Sequence, residues 1–295
     1  MKEKTLAQLG ENRFLARLLK NLPVGRNVVL GAGDDCAVVR RGDAFELLKT
    51  DCVVENVHFL PETPPHLVGR KALARALSDI AAMGGTPHEA LVTIFSPPEC
   101  PAQYWLKAYR GLCTLARKYS VSVVGGETSR APVRAISIAL TGTAKRIVTR
   151  NGGHACDILY VTGTLGGSIA RHHLTFTPRL AEGQWLVQKG YVRAMMDLSD
   201  GLLADTPRLA ASSHCGFTLD HTAIPRRRGC TVEAALGDGE DYELLFAVAP
   251  EHAARLEKEW PFPTTRLTAI GHLEKAMKKN TSGGYEHFRE VANRV

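Results

Sequence analysis

The chain predicts an α+β fold in two domains, residues 1–148 and 149–295, and three observations carry that reading. Its 295 residues exceed what one ordinary hydrophobic core supports. Strand-like and helix-like runs alternate, and the alternation recurs in a second set. Between the two sets lies "VTRNGGHACD", rich in glycine and polar groups, which marks a boundary near residue 150.

Taken in order, the N-terminal "MKEKTLAQLGENRFLARLL" mixes acids and bases in an amphipathic pattern, unlike the apolar block of a signal peptide or the acid-poor stretch of a transit peptide. No apolar run reaches bilayer length, so the expectation is a soluble cytoplasmic protein with no membrane contact. "NVVLGAG" and "AFELLKTD" read as strands. A long helix runs from about Pro64 to Met83, with Thr63 as a cap, Pro64 and Pro65 in the first turn, and Gly84 as its stop. Its apolar face is broad, from Leu67 and Val68 to Ile80 and Ala81. Asp79 falls near the helix C-terminus, where the macrodipole disfavours a carboxylate, and helical spacing favours an exposed side chain or a pair with Arg75. "EALVTIFS" predicts a strand, "AQYWLKAYRGLCTLARKY" a helix, and "VSVVGGE" and "AISIALTGTA" two further strands. The second set runs through "CDILYVTGTLGGSIA", "AEGQWLVQKG", "YVRAMMDLSDGLLADTPRLAASS", "GFTLD", "DYELLFAVA" and "TRLTAIGHL".

Composition narrows the function. Hydrophobic residues at 44% and charged residues at 23% are ordinary for a folded domain. The net charge of +7 is dispersed apart from Arg226, Arg227 and Arg228, with no interleaved aromatics, which favours a solvated surface or a small anionic substrate over nucleic acid. Seven scattered cysteines without a C-x-x-C pair predict reduced thiols rather than disulfides or zinc.

Carboxylates recur at strand ends and turns: Asp34 and Asp35, Asp51, Glu127, Asp197 and Asp200, Glu240 and Asp241. Singly, each reads as a turn residue bonded to its own backbone. The adjacent pair Asp34 and Asp35 is different, because like charges repel and a shared hard cation such as Mg²⁺ removes the repulsion. Histidine and cysteine are absent from these clusters, which argues against zinc or copper. Glycine-rich turns, "GAGDD", "VVGGET" and above all "YVTGTLGGS", let backbone N–H groups approach phosphate oxygens. No P-loop or complete dinucleotide fingerprint is present. Together these features predict a nucleotide enzyme using Mg²⁺, with no covalent nucleophile or general base.

The successive motifs "GAGDDCAVV", "TDCVVENVHF", "RKALARALSDIAAMGGTP", "VVGGETSR", "LYVTGTLGGS", "MMDLSDGL", "GEDYELLF" and "GGYEHF" resemble those of the thiamine-monophosphate kinase family, over nearly the whole chain. That family is a branch of the aminoimidazole-ribonucleotide-synthetase-like superfamily. The resemblance implies two α/β-sandwich-type domains, the N-terminal one dimerising into a homodimer, with ATP in a cleft between domains. It implies transfer of the γ-phosphoryl of ATP to thiamine monophosphate, assisted by several Mg²⁺ ions. Position by position, it places Asp35, Thr50, Asp51, Asp79, Glu127, Asp197 and Asp200 at the metals. Gly126, Arg150 and Ser199 fall at the nucleotide, and His58, Glu240 and Tyr285 at the thiamine phosphate. Three positions depart from the pattern: Lys49 stands where a small hydroxyl residue is usual, Glu127 where aspartate is usual, and Ala131 where a glycine often follows the arginine; the segment between "LGGS" and "MDLSDG" is also shorter than usual. The rival readings are another ATP-dependent enzyme of the superfamily, or a non-catalytic protein that binds nucleotide or thiamine phosphate.

Overall fold

Each half of the chain is organised by one sheet. The computed structural model describes residues 4–275 and His287, so Tyr285 lies outside the described residues. In the first half, α1 (Leu6–Leu9) and α2 (Glu11–Leu18) precede β1 (Val28–Leu30), β2 (Ala37–Arg41) and β3 (Ala44–Val54). There follow α3 (Pro65–Ala82), β4 (Thr86–Ser96), α4 (Ala102–Lys118), β5 (Ser122–Arg130) and β6 (Ala135–Ala144). The strands form one sheet in the order β1-β2-β3-β6-β4-β5. Only β4 and β5 pair in parallel, joined by the α4 crossover that a parallel pair requires.

The second half contains β7 (Ile158–Thr162), α5 (His172–Thr175), α6 (Leu180–Lys189), β8 (Val192–Asp197) and α7 (Leu202–Ser212). It ends with β9 (Gly216–Leu219), α8 (Val232–Gly237), β10 (Leu244–Val248), α9 (Pro250–Glu259) and β11 (Leu267–Glu274). These five strands pair antiparallel in the order β8-β10-β7-β11-β9. Every residue of β10 is buried because both faces are covered: Leu245 and Ala247 share a core with Leu209 of α7, while Leu244, Phe246 and Val248 pack with Leu186 of α6 and Leu256 of α9. A strand buried on both faces reads as a continuous apolar run, as "LLFAV" does. The sequence reading left α5, α8 and α9 undrawn. Among the described residues no helix is long and apolar enough to cross a membrane.

Helix α3 joins the halves. It packs against the first sheet and α4 on one side and against α6 on the other, and the contact with α6 is so close that a Cβ on Gly183 would stand 2.1 Å from the Ala81 carbonyl oxygen. A helix enclosed on all sides buries its polar positions too, here Lys71, Ser78 and Asp79. Two expectations are corrected by this packing. Asp79 is neither exposed nor paired with Arg75: enclosure turns it inward to Lys49, and Arg75 bonds Asp51 instead. Thr63 does not cap α3, because its hydroxyl accepts the Leu60 N–H at 3.0 Å and Pro64 takes the cap position. The stop at Gly84 is as expected, with φ +67° where a side chain would be strained.

Candidate active site

Three carboxylates far apart in sequence converge at the junction of the two halves. Asp35 comes from the loop between β1 and β2, Asp79 from the last turn of α3, and Asp197 from the end of β8; each offers an oxygen within 4.8 Å of the others. All three are buried. The Asp35 carboxylate accepts the Arg150 guanidinium at 2.5 Å through one oxygen, while its other oxygen, Oδ2, is buried with no hydrogen-bond partner. Ser78 donates to Asp197 at 2.5 Å, and Lys49 donates to Asp79 at 2.6 Å. Burial, then repulsion from Asp35, lifts Asp197 to about 6. Asp79 is raised well above the carboxylate range by burial, against the pull of Lys49. Burial opposes the Lys49 charge, but Asp79 and Asp51 outweigh it and hold the ammonium above its ordinary value.

A pure oxygen donor set carrying an orphaned buried acceptor suits a hard divalent cation such as Mg²⁺. Asp79 and Asp197 of the triad line a cavity of about 600 Å³ together with Asp51, Arg75, Ser199, Asp200 and Arg208, with Glu11, Asn12 and Leu15 of α2 along its wall. Asp34 has a different task. Its carboxylate accepts the backbone N–H of Arg150 at 3.0 Å and of Asp35 at 3.0 Å, which fixes both neighbours of the triad.

Beside this cavity lies a narrower pocket of about 50 Å³ whose lining includes His58, Asp238, Glu240 and His287; Arg75, Ser199, Asp200 and Tyr242 line both spaces. The shared wall is built by an irregular bridge: Glu240 N–H donates to the Ser199 carbonyl at 2.7 Å, and Tyr242 N–H to that of Leu198 at 2.8 Å. Glu240 and Tyr242 both adopt positive φ, 53° and 52°, a costly conformation that concentrates at functional sites. Gly239 admits the fold, since a Cβ there would stand 2.9 Å from the Ser199 carbonyl. Behind the pocket lining, the fully buried Lys71 Nζ lies 2.7 Å from Glu240, 2.7 Å from His173 and 2.6 Å from the His58 carbonyl. Burial works against the Glu240 charge, but Lys71, His173 and Arg75 hold its pKa far below the ordinary carboxylate value. His58 accepts the Val54 N–H through Nδ1 at 3.0 Å, so Nε2 carries the proton of the neutral ring. Burial, then Arg75, depresses its pKa to about 3.

The two sequence models that match describe the AIR synthase related protein N-terminal domain, over residues 33–145, and its C-terminal domain, over residues 150–279. A thiamine-monophosphate kinase from Rhodopirellula baltica is 38% identical over 88% of this chain and 89% of its own length. The Escherichia coli K12 protein of the same name is 32% identical over 90% of this chain and 87% of its own. The chain belongs to the thiamine-monophosphate kinase family. A solved complex described as "AaThiL complexed with AMPPCP and TMP" superposes with a TM-score of 0.86 and 30% identity, covering 97% of this chain and all of that one.

For a thiamine-monophosphate kinase, the placement of the remaining predicted residues divides in two. Asp51, Asp200, Arg150 and Ser199 line the wide cavity with Asp79 and Asp197, and His58 and Glu240 line the narrow pocket. Thr50 does not share the triad's space. Leu47, Lys49, Asp51 and Val53 alternate onto the face of β3 that packs on α3, so Thr50 stands on the opposite, exposed face. Gly126 and Glu127 lie on β5, at the sheet edge. The register runs Asp51, Ile138, Val92, Gly126 and, one residue on, Cys52, Ser137, Thr93, Glu127. Gly126 is therefore level with Asp51, and Glu127 with Cys52, in each case three strands away, about 14 Å at the usual strand spacing. The turn in "YVTGTLGGS" differs from expectation: its Gly166 and Gly167 N–H groups donate to Asp241 at 3.1 Å and Asp238 at 2.7 Å, so carboxylates of the chain itself occupy the donors expected to meet phosphate. Lys71, Tyr242 inside "GEDYE" and Arg208 were not singled out in the sequence, and Arg75, four residues after Lys71 in α3, was read only as a candidate partner of Asp79.

Proposed function

We propose that this protein transfers the γ-phosphoryl of ATP directly to thiamine monophosphate, giving thiamine diphosphate and ADP, as a cytoplasmic homodimer. The observation that carries the proposal is the pair of joined cavities: a wide one with buried acids and cations, and a narrow one with an anionic and aromatic lining, meeting at Arg75, Ser199, Asp200 and Tyr242. AMPPCP is an ATP analogue, and the relative captured with it and TMP matches this fold across nearly its whole length.

The acceptor is a phosphate oxygen, already anionic at neutral pH, so no general base has to take a proton; the barrier is repulsion between two polyanions. Asp35, Asp79 and Asp197, with Asp51 and Asp200 alongside, would hold Mg²⁺, which would supply charge neutralisation and alignment of the two phosphates. Arg150 and Ser199 hold the nucleotide in the wide cavity. Arg75 faces both spaces and orients the acceptor phosphate where the donor arrives. In the narrow pocket Glu240 and the Tyr242 ring meet the cationic thiazolium, an interaction for which a ring face contributes about 0.5–2 kcal/mol, and His58 donates through Nε2. Tyr285 is assigned to the thiamine phosphate by family resemblance alone; His287 lines the narrow pocket.

Thr50, Gly126 and Glu127 join the metal and nucleotide sites through the second copy. They lie on a sheet face and edge that no helix among the described residues covers, where Leu48, Leu91 and Val124 are also exposed. Residues 1–148 thereby form the dimerising, metal-binding domain, and residues 149–295 complete the nucleotide and thiamine-phosphate sites. Purified protein with ATP and Mg²⁺ is expected to release ADP with thiamine monophosphate and not with formylglycinamidine ribonucleotide. ADP release with the ribonucleotide alone would assign the site to a ring-closing synthetase.

A further inference from the structure

The acid cavity contains cations supplied by the chain itself, and one of them sits within the triad. Arg150 and Arg75 reach Asp35 and Asp51 from flexible side chains of a loop and a helix. Lys49 is mounted on β3, two residues before Asp51 on the same face, and its ammonium contacts Asp79 at 2.6 Å. An ammonium has three donors and no lone pair, so it neutralises a carboxylate oxygen while denying that oxygen to a metal. It is also a compact point charge, the form of side-chain cation closest to a small metal ion. Of the triad, Asp197 accepts only the Ser78 hydroxyl, and Asp35 keeps Oδ2 without a partner. Lys49 thus withdraws one Asp79 oxygen, Oδ1, from the set that Asp35, Asp79 and Asp197 can offer a divalent ion.

We propose that Lys49 is a tethered cation that takes the place of one divalent ion, so that the acid cavity of this chain binds one metal fewer than its carboxylates would otherwise hold. The proposal rests on the reading of the cavity as a divalent-cation site. It also explains how Asp79 stays buried when no metal is bound: its countercharge is part of the fold.

The test counts Mn²⁺ bound per full-length chain by equilibrium dialysis, without nucleotide, in the wild type, Lys49→Thr and Lys49→Arg, with melting temperature followed in EDTA and in Mn²⁺. Lys49→Thr is expected to bind one Mn²⁺ more than the wild type and to lose more of its melting temperature in EDTA, while Lys49→Arg keeps the wild-type count. Should Lys49→Thr unfold in EDTA and fold with Mn²⁺, the exchange of ammonium for metal is supported directly; failure to fold in either condition overturns it. Equal counts and affinities in the wild type and Lys49→Thr also overturn it. Absence of Mn²⁺ binding by every form would instead remove the divalent-cation reading, and this proposal with it.

Discussion

In the acid triad beside the wide cavity the buried Asp35 keeps one carboxylate oxygen without a partner, whereas in the narrow pocket Glu240 has both oxygens engaged, one by Lys71 and His173 and the other by Tyr242 at 3.3 Å. Both regions bury acids at the junction of the two halves, yet they balance charge differently. The narrow pocket completes its network within the chain and so holds its shape and charge before any ligand arrives. The triad leaves repulsion and an orphaned acceptor, which only a ligand cation relieves. A buried acid is therefore informative through its partners rather than through its burial.

The strongest way to break the comparison is Asp197→Asn. The amide still accepts the Ser78 hydroxyl and removes a charge that repels Asp35, so activity is expected to fall about 100-fold or more while the melting temperature at pH 7 stays level or rises. Steady-state kinetics and a thermal melt check this together; a lower melting temperature with activity kept would make Asp197 a structural residue. In the pocket the order reverses. Lys71→Met strands the buried Glu240 charge and is expected to cost about 3–5 kcal/mol of stability by denaturant titration. The double variant Lys71→Met/Glu240→Gln should recover most of that loss, and a double variant no more stable than the single would show that the two charges are not coupled.

A smaller effect follows from His58. Its pKa falls from 6.5 to about 3 on folding, so between those values the unfolded chain binds a proton that the folded chain refuses. Stability therefore declines as pH drops through that window, by at most about 1.4 kcal/mol per pH unit for one such group. His58→Gln should flatten the pH dependence of the unfolding free energy over pH 6.5 to 4 relative to wild type; an unchanged slope would mean that the ring is protonated in the fold. The smallest effect is expected from Tyr242→Phe, which loses only the hydroxyl bond to Glu240. It should raise the KM for thiamine monophosphate several-fold, about 1 kcal/mol, and leave kcat unchanged.

The order of strands and helices was legible because each α3, β4 or β10 carries its own period and punctuation. Asp35, Asp79 and Asp197, which the sequence singled out by their neighbours or by family resemblance, come together in the fold, although nothing local revealed that α6 encloses α3 and turns Asp79 onto Lys49. That enclosure depends on a glycine, Gly183, a hundred residues away in the chain. The "YVTGTLGGS" turn misled for the same reason: its donors are filled by Asp238 and Asp241, which arrive from a distant loop. Strand parity separates Thr50 from Asp51 and can be counted in the sequence, but which face meets α3 cannot. Lys71 left a usable signal, a lysine in an apolar helix four residues before an arginine, since buried cations persist only where partners wait.

The central claim is that the converging acids serve phosphoryl transfer to thiamine monophosphate. Its most direct test is thiamine diphosphate formation from ATP, Mg²⁺ and thiamine monophosphate by the wild type and by Asp35→Asn. Thiamine diphosphate is expected in equal amount to ADP with the wild type and at a greatly reduced rate with the variant. No product from the wild type, or equal rates from both proteins, would contradict the account.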